Sequence, residues 1–310
     1  MVPFRPHIVV ITSYMHAFTV KTAHAPQDGE TVIGDETHIG PGGKGSNQAI
    51  AAARLGGTVY AIGCVGHDAF GDAALAVWRE EGIDVSTVEQ KAGATTGLAF
   101  IVLDDAGQNR IVVSPGANDL LAPDMIDAAD ATIRTADVLV AQLESRIEPV
   151  AHALKLARRH GVRTILNPAP ARSLDQATLS NVDVITPNET EAATITGLPI
   201  DVHDEASCAR AAAWLCERGV RHVVMTLGER GAYLYDRETA HGTYVPTIKV
   251  GAVDTTGAGD AFTGALAVAL GSGQPLGAAI ALANRAGAFC VTRLGVVPGL
   301  GTQADLAALC

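Results

Sequence analysis

The chain is poor in the residues that mark several protein classes. Aromatic residues make up only 4% of its 310 residues, and its 5 cysteines form no CxxC pair and show no regular spacing. An odd number of irregularly spaced cysteines argues against a disulfide framework and against a structural zinc site. We therefore expect reduced thiols and a cytoplasmic location.

Basic residues are also scarce. The chain has 22 Lys and Arg against 33 Asp and Glu, a formal net charge of -11, and its basic residues are scattered. Such a distribution offers no surface for a nucleic-acid backbone. The apolar run at residues 8–11 is far too short to span a membrane and is typical of a first strand. We expect neither nucleic acid nor a membrane as a partner.

Glycine and aliphatic residues are plentiful instead. The 33 glycines and the hydrophobic content of 48% suit tight turns in one α/β domain, which we expect to span residues 1–310. From about residue 58, short β-branched runs alternate with alanine-rich segments of helical spacing. This alternation predicts a doubly wound, mostly parallel sheet, with strands at residues 58–64, 138–142, 164–167, 182–186 and 222–226.

Two stretches do not fit this alternation of strands and helices. Residues 31–40 alternate polar and apolar side chains, and residues 96–103 and 109–114 are typical of a hairpin. Strands of alternating polarity have one solvated and one covered face. We expect a small β lid over the ends of the main strands, formed from about residues 13–41 and 95–115, with an ordinary edge hairpin as the alternative.

Residues 40–45 match the GxGxxG pattern of dinucleotide-binding folds. That fingerprint requires a buried apolar strand immediately before it, and the preceding segment is too polar for one. We therefore exclude dinucleotide binding. The glycines instead allow a ligand close to the start of a helix over residues 46–55, with Lys44 and Asn47 as polar contacts, and a flexible glycine turn is an equal alternative.

The strongest local signal is DTTGAGD at residues 254–260, which leads into an apolar helix over residues 261–270. A Gly-Ala-Gly turn at a helix N-terminus leaves amide N–H groups free to bind an anion such as a phosphoryl group. Asp260 lies at the mouth of this turn, where a carboxylate can take the proton of an attacking hydroxyl. The alternative is a carboxylate that only caps the helix.

Two further polar segments follow predicted strands. The first is TPNETE at residues 186–191, where Asn188 and Glu191 share one helical face and can hold hydrated magnesium near phosphates. Helix capping is the alternative for this pair. The second is TLGERG at residues 226–231, which permits a tight turn at the carboxyl end of a strand, where open α/β sheets bind ligands.

Together these motifs resemble the ribokinase family of carbohydrate kinases, which is of the phosphofructokinase-B type. The resemblance covers nearly the whole chain and rests on GGKGSNQAIAAARLG (42–56), NPAPA (167–171), TPNETEA (186–192), TLGERGA (226–232) and VDTTGAGDAFTGALA (253–267). It implies a doubly wound domain with a β lid that joins two subunits in a homodimer. It also implies transfer of the γ-phosphoryl group of ATP to a primary hydroxyl of a ribose-like sugar, with Mg²⁺ and K⁺ as cofactors.

The resemblance implies roles for individual residues at matching positions. The base is Asp260, and the anion hole is formed by Gly257, Ala258 and Gly259. With Asp260, the sugar-binding positions are Met15, Ala17, Gly43, Lys44, Asn47 and Glu144. The nucleotide-binding positions are Asn188, Thr226, Gly228, Gly231, Gly259 and Asn284. Magnesium lies near Asn188 and Glu191, and potassium lies in a loop of mainly backbone carbonyls that includes Asp254, Thr256, Cys290, Arg293, Gly295 and Gly299.

One segment departs from the family pattern. Ribokinases carry Asn-x-Asp after the first strand, and its carboxylate grips the sugar hydroxyls, whereas this chain has Met15-His16-Ala17. Loss of such a charge-assisted hydrogen bond costs about 1.5–3 kcal/mol. The apolar wall favours a deoxysugar, a nucleoside or a larger aglycone over ribose, with His16 as a different polar contact. A nucleoside kinase or another pentose or hexose kinase is thus one alternative, and a sugar-sensing protein without turnover is another.

Overall fold

The computed structural model describes residues 4–106 and 108–309. Its strands are β1 His7–Ile11, β2 Met15–Thr22, β3 Glu36–Gly42, β4 Thr58–Gly66, β5 Asp84–Lys91, β6 Gly97–Asp104, β7 Asn109–Ser114, β8 Val138–Ala141, β9 Arg163–Leu166, β10 Val184–Ile185, β11 His222–Thr226, β12 Ala232–Asp236 and β13 His241–Val245. Its helices are α1 Lys44–Arg54, α2 Ala69–Glu80, α3 Pro123–Ala128, α4 Asp130–Arg134, α5 Ile147–Arg159, α6 Gln176–Leu179, α7 Glu189–Thr196, α8 Glu205–Glu217, α9 Ala258–Gly271, α10 Leu276–Cys290, α11 Val296–Gly299 and α12 Gln303–Ala308. Gly107, in the predicted lid, and residues 1–3 and 310, in the predicted domain, lie outside the described residues. Among the described helices, none is both long and apolar enough to cross a membrane.

The larger sheet has the strand order β13-β12-β11-β10-β9-β8-β1-β4-β5. Neighbouring strands pair in parallel from β11 to β5, and β12 and β13 add an antiparallel edge. The chain order reverses at β1, because β1 lies between β4 and β8. This arrangement confirms the predicted doubly wound, mostly parallel sheet. Each predicted strand is present, although β10 is shorter than the residues 182–186 expected from the sequence.

Both faces of the larger sheet are covered by helices. In β1, Ile8 and Val10 belong to a buried cluster with residues of α1, α2, α9 and α10. Val9 and Ile11 belong to a second cluster with residues of α3, α5 and α8. Continuous apolar runs are therefore needed in the strands, as the sequence showed. The packing fixes the parallel strands with their carboxyl ends along one edge of the sheet, where ligands bind in such folds.

A separate smaller sheet has the order β3-β2-β6-β7. The predicted hairpin corresponds to β6 and β7, which pair antiparallel, and β3 pairs antiparallel with β2. The second sheet expected from the sequence is thus confirmed. Its central strand β2, which pairs in parallel with β6 from Met15 to Thr22, was not recognised from the sequence pattern.

Helices α1 and α9 pack closely against each other. A Cβ atom at Gly264 of α9 would lie 2.6 Å from the Cβ of Ala51 and 2.8 Å from the carbonyl oxygen of Gln48 in α1. The two helices can approach in this way only because residue 264 has no side chain. Since α1 carries Asn47 and α9 carries Asp260, this contact sets the distance between two halves of the predicted site.

Replacing Gly264 by Ala is expected to destabilise the fold by about 1–3 kcal/mol, because the added methyl group forces α1 and α9 apart. Gly277→Ala is the matched control, because Gly277 also lies in a helix but its Cβ would meet no atom within 4 Å. That control should be neutral or should stabilise the fold by up to about 1 kcal/mol. Equilibrium unfolding in urea measures both changes, and equal effects of the two substitutions would contradict the close-packing account.

Candidate active site

Several strands of the larger sheet end at one edge, and a polar residue lies at or just after each end. Ser13 follows β1, Glu144 follows β8, and Asn167 follows β9. Asn188 and Thr226 form an isolated parallel bridge where β10 and β11 end. Because these strands run in the same direction, the fold collects at one edge residues that are far apart in the sequence.

The strand ends and the first turns of α1, α7 and α9 enclose a cavity of about 180 Å³. The residues predicted for the site that line it are Lys44, Asn188, Glu191, Thr226, Gly257, Gly259 and Asp260. Its remaining lining residues are Asn167, Ala169, Thr186 and Thr255. A larger surface cavity of about 510 Å³ lies at the opposite edge of the sheet and contains none of the predicted residues. The smaller cavity thus brings together Asp260, Gly257 and Gly259 of the predicted anion hole, and the predicted magnesium pair Asn188 and Glu191. Ala258 and the predicted sugar positions Met15, Ala17, Gly43, Asn47 and Glu144 do not line it.

Asp260 lies in the first turn of α9 and is only 6% exposed. Its Oδ2 accepts a hydrogen bond from Asn47 Nδ2 at 2.8 Å, and its Oδ1 accepts one from Gln48 Nε2 at 3.0 Å. Burial raises the pKa of Asp260, against the opposing effects of the Lys44 charge and the two amide hydrogen bonds. The carboxylate is therefore a stronger proton acceptor than an exposed aspartate.

The N-terminus of α9 has the geometry of an anion hole. Gly257 precedes the helix with a φ of 83°, and a Cβ there would lie 2.5 Å from Val296 Cγ1, so only glycine fits. The N–H groups of Gly259 and Asp260 have no acceptor among the described residues. Free amides at the positive end of a helix dipole can bind an anion. The Ala258 N–H, which we also expected in the anion hole, instead donates to the Thr255 carbonyl oxygen at 3.4 Å.

Glu144 holds the beginning of α1. Its Oε2 accepts hydrogen bonds from Ser13 Oγ and from the Lys44 backbone N–H, each at 2.7 Å. Burial raises the pKa of Glu144, although the Ser13 hydrogen bond and the Lys44 charge oppose this. For Lys44, burial favours the neutral amine, but the charges of Asp260, Glu144 and Glu191 outweigh it and raise the pKa. Lys44 therefore supplies a positive charge among buried carboxylates.

Met15 and Ala17 lie on one face of β2, and Gly43 is the N-cap of α1 with a φ of 95°. The Met15 side chain is buried, with its Sδ 3.7 Å from Asn118 Nδ2. The face of β2 formed by Met15 and Ala17 therefore carries neither a carboxylate nor an amide side chain. His16, which we expected to offer a polar contact here, is on the opposite face of the strand.

His16 lies on the face of β2 opposite to Met15 and Ala17. Its Nδ1 lies 3.1 Å from Tyr14 Oη, and its ring centre lies 4.5 Å from that of Phe70 in α2. Burial lowers the pKa of His16 and favours the neutral ring, which shares a hydrogen bond with the Tyr14 hydroxyl. His16 therefore links the small sheet to α2.

Asn188 and Glu191 form a capping box at the start of α7. Asn188 Oδ1 accepts from the Glu191 N–H at 2.7 Å, and Glu191 Oε2 accepts from the Asn188 N–H at 2.9 Å. The capping alternative considered for this pair is thus correct, yet both residues also line the cavity. Burial raises the pKa of Glu191. Because the cap uses only Oε2, the second carboxylate oxygen fits a contact with hydrated magnesium.

Gly228, Gly231 and Asn284 lie outside the cavity, unlike the other predicted nucleotide positions. Gly228 and Gly231 bound the tight turn that follows β11. Asn284 Nδ2 donates to the carbonyl oxygen of Val245 at 2.8 Å, where β13 ends. Asn284 therefore fixes the backbone at the end of β13.

Asp254 joins the two segments of the predicted potassium loop. Its Oδ1 accepts from the Thr256 N–H at 2.9 Å and its Oδ2 from the Gly295 N–H at 3.0 Å. Cys290 Sγ donates to the Thr256 carbonyl oxygen at 3.6 Å. In residues 4–106 and 108–309, no cluster of three His, Cys, Asp or Glu side chains could hold a metal ion.

Arg293 and Gly299 complete the predicted loop. The Arg293 guanidinium lies 5.2 Å from the centre of the Phe289 ring, so this side chain is stacked on its own helix end. A Cβ at Gly299 would lie 2.8 Å from the Cys290 carbonyl oxygen. The Arg293 side chain thus lies beside Phe289, and Gly299 packs directly against the carbonyl of Cys290.

Besides the four unpredicted lining residues, the sequence did not reveal two residues that bond to the site's carboxylates. Ser13 bonds to Glu144, and Gln48 bonds to Asp260. The available signal was position, because Ser13 closes the first strand and Gln48 follows Asn47 in the glycine-rich motif. Sequence spacing does not show which amide meets which carboxylate.

A model of the pfkB family carbohydrate kinases matches residues 5–302. The chain belongs to this family. The ribokinase of Haemophilus influenzae is 36% identical over 301 residues, which cover 97% of this chain and 97% of that protein. The deoxyribokinase of Salmonella typhi is 38% identical over 299 residues, which cover 96% of this chain and 94% of that protein.

Solved structures agree with the family assignment. A ribokinase of Arabidopsis thaliana complexed with ribose and ATP has a TM-score of 0.91 at 29% identity and covers 99% of each chain. A ribokinase of Thermotoga maritima has a TM-score of 0.88 at 34% identity and covers 98% of this chain and 99% of that one. The two-sheet fold expected from the sequence is therefore the fold of these kinases.

Asp260→Asn is expected to lower kcat by about 10²–10⁴-fold, because a carboxamide cannot accept the proton. It should also stabilise the fold near neutral pH. The folded-state pKa of Asp260 is raised above its unfolded value, so the ionised carboxylate costs stability, and this cost disappears as the pH falls and the group is protonated. The gain in Tm should therefore be largest near neutral pH and should shrink in acid.

Thermal unfolding of both proteins across a pH series measures this effect. Asp305→Asn is the control of opposite sign, because hydrogen bonds from Thr302 lower the pKa of Asp305. That variant should lose stability near neutral pH, and the loss should shrink in acid. A fall in kcat for Asp260→Asn without any gain in Tm would contradict the account of a costly buried carboxylate.

Proposed function

We propose that this carbohydrate kinase transfers the γ-phosphoryl group of ATP to a primary hydroxyl of a ribose-like sugar. The observation that carries the proposal is the buried Asp260 carboxylate beside the free N–H groups at the start of α9. A base for the hydroxyl and a site for the transferring anion are thereby adjacent. The ribokinase and deoxyribokinase relatives support a pentose as the acceptor.

The proposed reaction assigns a role to each part of the cavity. Asp260 takes the proton from the acceptor hydroxyl as the oxygen bonds to the γ-phosphorus and the bond to the leaving ADP oxygen breaks. The N–H groups of Gly259 and Asp260 stabilise the charge that develops on the transferring group. Lys44 offers a positive charge in the same cavity. Bound Mg²⁺ would neutralise phosphate charge, with Asn188 and Glu191 beside its hydration shell.

The potassium assignment rests on the loop that Asp254 joins. The Thr256 carbonyl belongs to the segment that leads directly into Gly257 and the anion hole. A monovalent cation held by backbone carbonyls of this loop would place positive charge beneath the phosphoryl site. It would also order the backbone of the loop. We infer activation by K⁺ on this basis, and a cytoplasmic location from the need for ATP and from the buried free thiols of Cys64, Cys208, Cys216 and Cys290.

Release of ADP from Mg-ATP tests the proposed function, with ribose, 2-deoxyribose, fructose and common nucleosides as acceptors and with K⁺ or Na⁺ as the cation. We expect saturable turnover on a pentose, higher in K⁺ and lost in Asp260→Asn. Because Met15 and Ala17 offer no carboxylate to the sugar hydroxyls, kcat/KM for 2-deoxyribose should equal or exceed that for ribose. Turnover on nucleosides alone would favour the nucleoside kinase alternative, and saturable sugar binding without turnover would favour the sensing alternative.

We also propose that the protein is one domain whose small sheet, about residues 13–41 and 95–115, closes over the acceptor and joins two subunits. The pairing register places Ile39, Phe18, Phe100 and Val112 in one row across β3, β2, β6 and β7. Ile39, Phe100 and Val112 are 59%, 48% and 68% exposed. An exposed apolar row of this kind marks an interface, and a second copy of the same sheet is a self-complementary partner.

Phe100→Asp is expected to convert the dimer into a folded monomer, because it places a charge in the centre of the apolar row. Analytical ultracentrifugation gives the mass, and circular dichroism shows whether the fold is kept. Phe4→Asp is the matched control, because Phe4 is 69% exposed but lies outside both segments of the proposed lid. A wild-type monomer, or a Phe100→Asp variant that stays dimeric, would refute the proposed interface.

A further inference from the structure

Gln48 is a fully buried amide in α1 that the proposed chemistry has not used. It is 0% exposed and does not line the cavity. Its Nε2 donates to Asp260 Oδ1 and to Asn167 Oδ1, each at 3.0 Å. Its Oε1 accepts from Gln142 Nε2 at 2.7 Å. Both N–H groups and the carbonyl oxygen of this amide are therefore engaged.

The partners of Gln48 allow only one orientation of its amide. Asn167 Nδ2 donates to the Thr186 carbonyl oxygen at 2.9 Å, so Asn167 Oδ1 is an acceptor. Rotation of the Gln48 amide by half a turn would direct Oε1 at two acceptor oxygens and would direct the NH₂ group at the Gln142 donor. Buried polar groups left facing like partners lose their hydrogen bonds at substantial cost. The orientation of the Gln48 amide is thus fixed by the Thr186 carbonyl, acting through Asn167, and by Gln142.

This network acts on Asp260 without occupying its capacity to take a proton. Gln48 and Asn47 each donate one hydrogen to a different oxygen of the carboxylate, and a neutral amide N–H cannot accept the proton in exchange. Each carboxylate oxygen keeps a further acceptor position. The two amides therefore fix the plane of the carboxylate and leave it free to meet a hydroxyl.

We propose that Gln48, locked by Gln142, is a positioning residue that holds the Asp260 carboxylate in the plane in which it meets the acceptor hydroxyl. The proposal rests on the proposed kinase function. Gln48 has no surface on the cavity and therefore acts through the residues it contacts, of which Asp260 is the proposed base. Gln142, buried just after β8, ties this orientation to the central sheet.

Gln48→Glu tests the proposal with almost no change in side-chain volume. Two carboxylates then face each other, so one must hold a proton and the apparent pKa of the pair rises. The acid limb of the kcat profile should move up by about 1–3 pH units, with KM for ATP unchanged. Gln48→Met should lower kcat about 100-fold and move the acid limb up by less than Gln48→Glu does, because the base is displaced and loses one hydrogen bond but no charge is added.

Gln142→Met supplies the coupling test. If Gln142 acts only by orienting Gln48, the double variant with Gln48→Met should lose no more kcat than Gln48→Met alone. Gln303→Met is the control, because Gln303 Nε2 also donates to α1, at the Leu55 carbonyl oxygen of the opposite helix end. Its kcat profile should match that of the wild type. Additive losses in the double variant would overturn the role of Gln142.

An activity-free measurement separates this proposal from the proposed function. The difference in unfolding free energy between each protein and its Asp260→Asn derivative, followed against pH, reports the protonation of the Asp260 carboxyl. In the Gln48→Glu background the pH at which this difference changes should move up, whether or not a sugar is phosphorylated. A wild-type protein without turnover would refute the kinase function alone, whereas an unmoved transition would refute the positioning role.

Discussion

The burial of the Asp260 carboxylate is the constraint on which the rest of the site depends. An isolated carboxylate in a protein interior is strongly unfavourable, so it must be paired and hydrogen-bonded. Here the compensation comes from the Asn47 and Gln48 amides, from the Lys44 charge, and from its own position at a helix N-terminus. The amides and the lysine all belong to α1, while the carboxylate belongs to α9. The site therefore requires two helices, far apart in the sequence, at one fixed distance.

Two features of the fold fix the distance between α1 and α9. Gly264 lets α9 approach the middle of α1, and Glu144 binds the first residue of α1 through the Lys44 N–H. Glu144 lies after β8, which pairs with β1. Ser13, two residues after β1, donates to the same carboxylate oxygen. The central parallel strands thus set the position of α1, and through α1 the position of the Asp260 carboxylate. A scaffold of this rigidity is what preorganised catalysis needs, since the dipoles do not reorganise during the reaction.

The sequence predicted most of the main sheet because strands buried on both faces need continuous apolar runs. It did not show β2, β5 or β13, whose faces are partly exposed and whose residues are mixed in polarity, and it did not show the mainly buried β12. The GAGD turn and the Asn188–Glu191 pair were found because their chemistry depends on a helix start, which is local. Gln48 was missed because its role depends on hydrogen-bond direction across three elements. His16 shows the same limit, since the residue was noticed but its face of the strand was not.

We propose that Asn47 brings the base and the acceptor together. The Asp260 carboxylate accepts only hydrogens, so it turns the Asn47 Nδ2 toward itself and leaves Oδ1 on the other side. Among the described residues no group donates to that buried oxygen. An unsatisfied buried acceptor costs about 1–3 kcal/mol, and a sugar hydroxyl that donates to it would remove this cost. One amide would then hold the base through its nitrogen and the acceptor through its oxygen, so that binding the sugar also aligns it with Asp260.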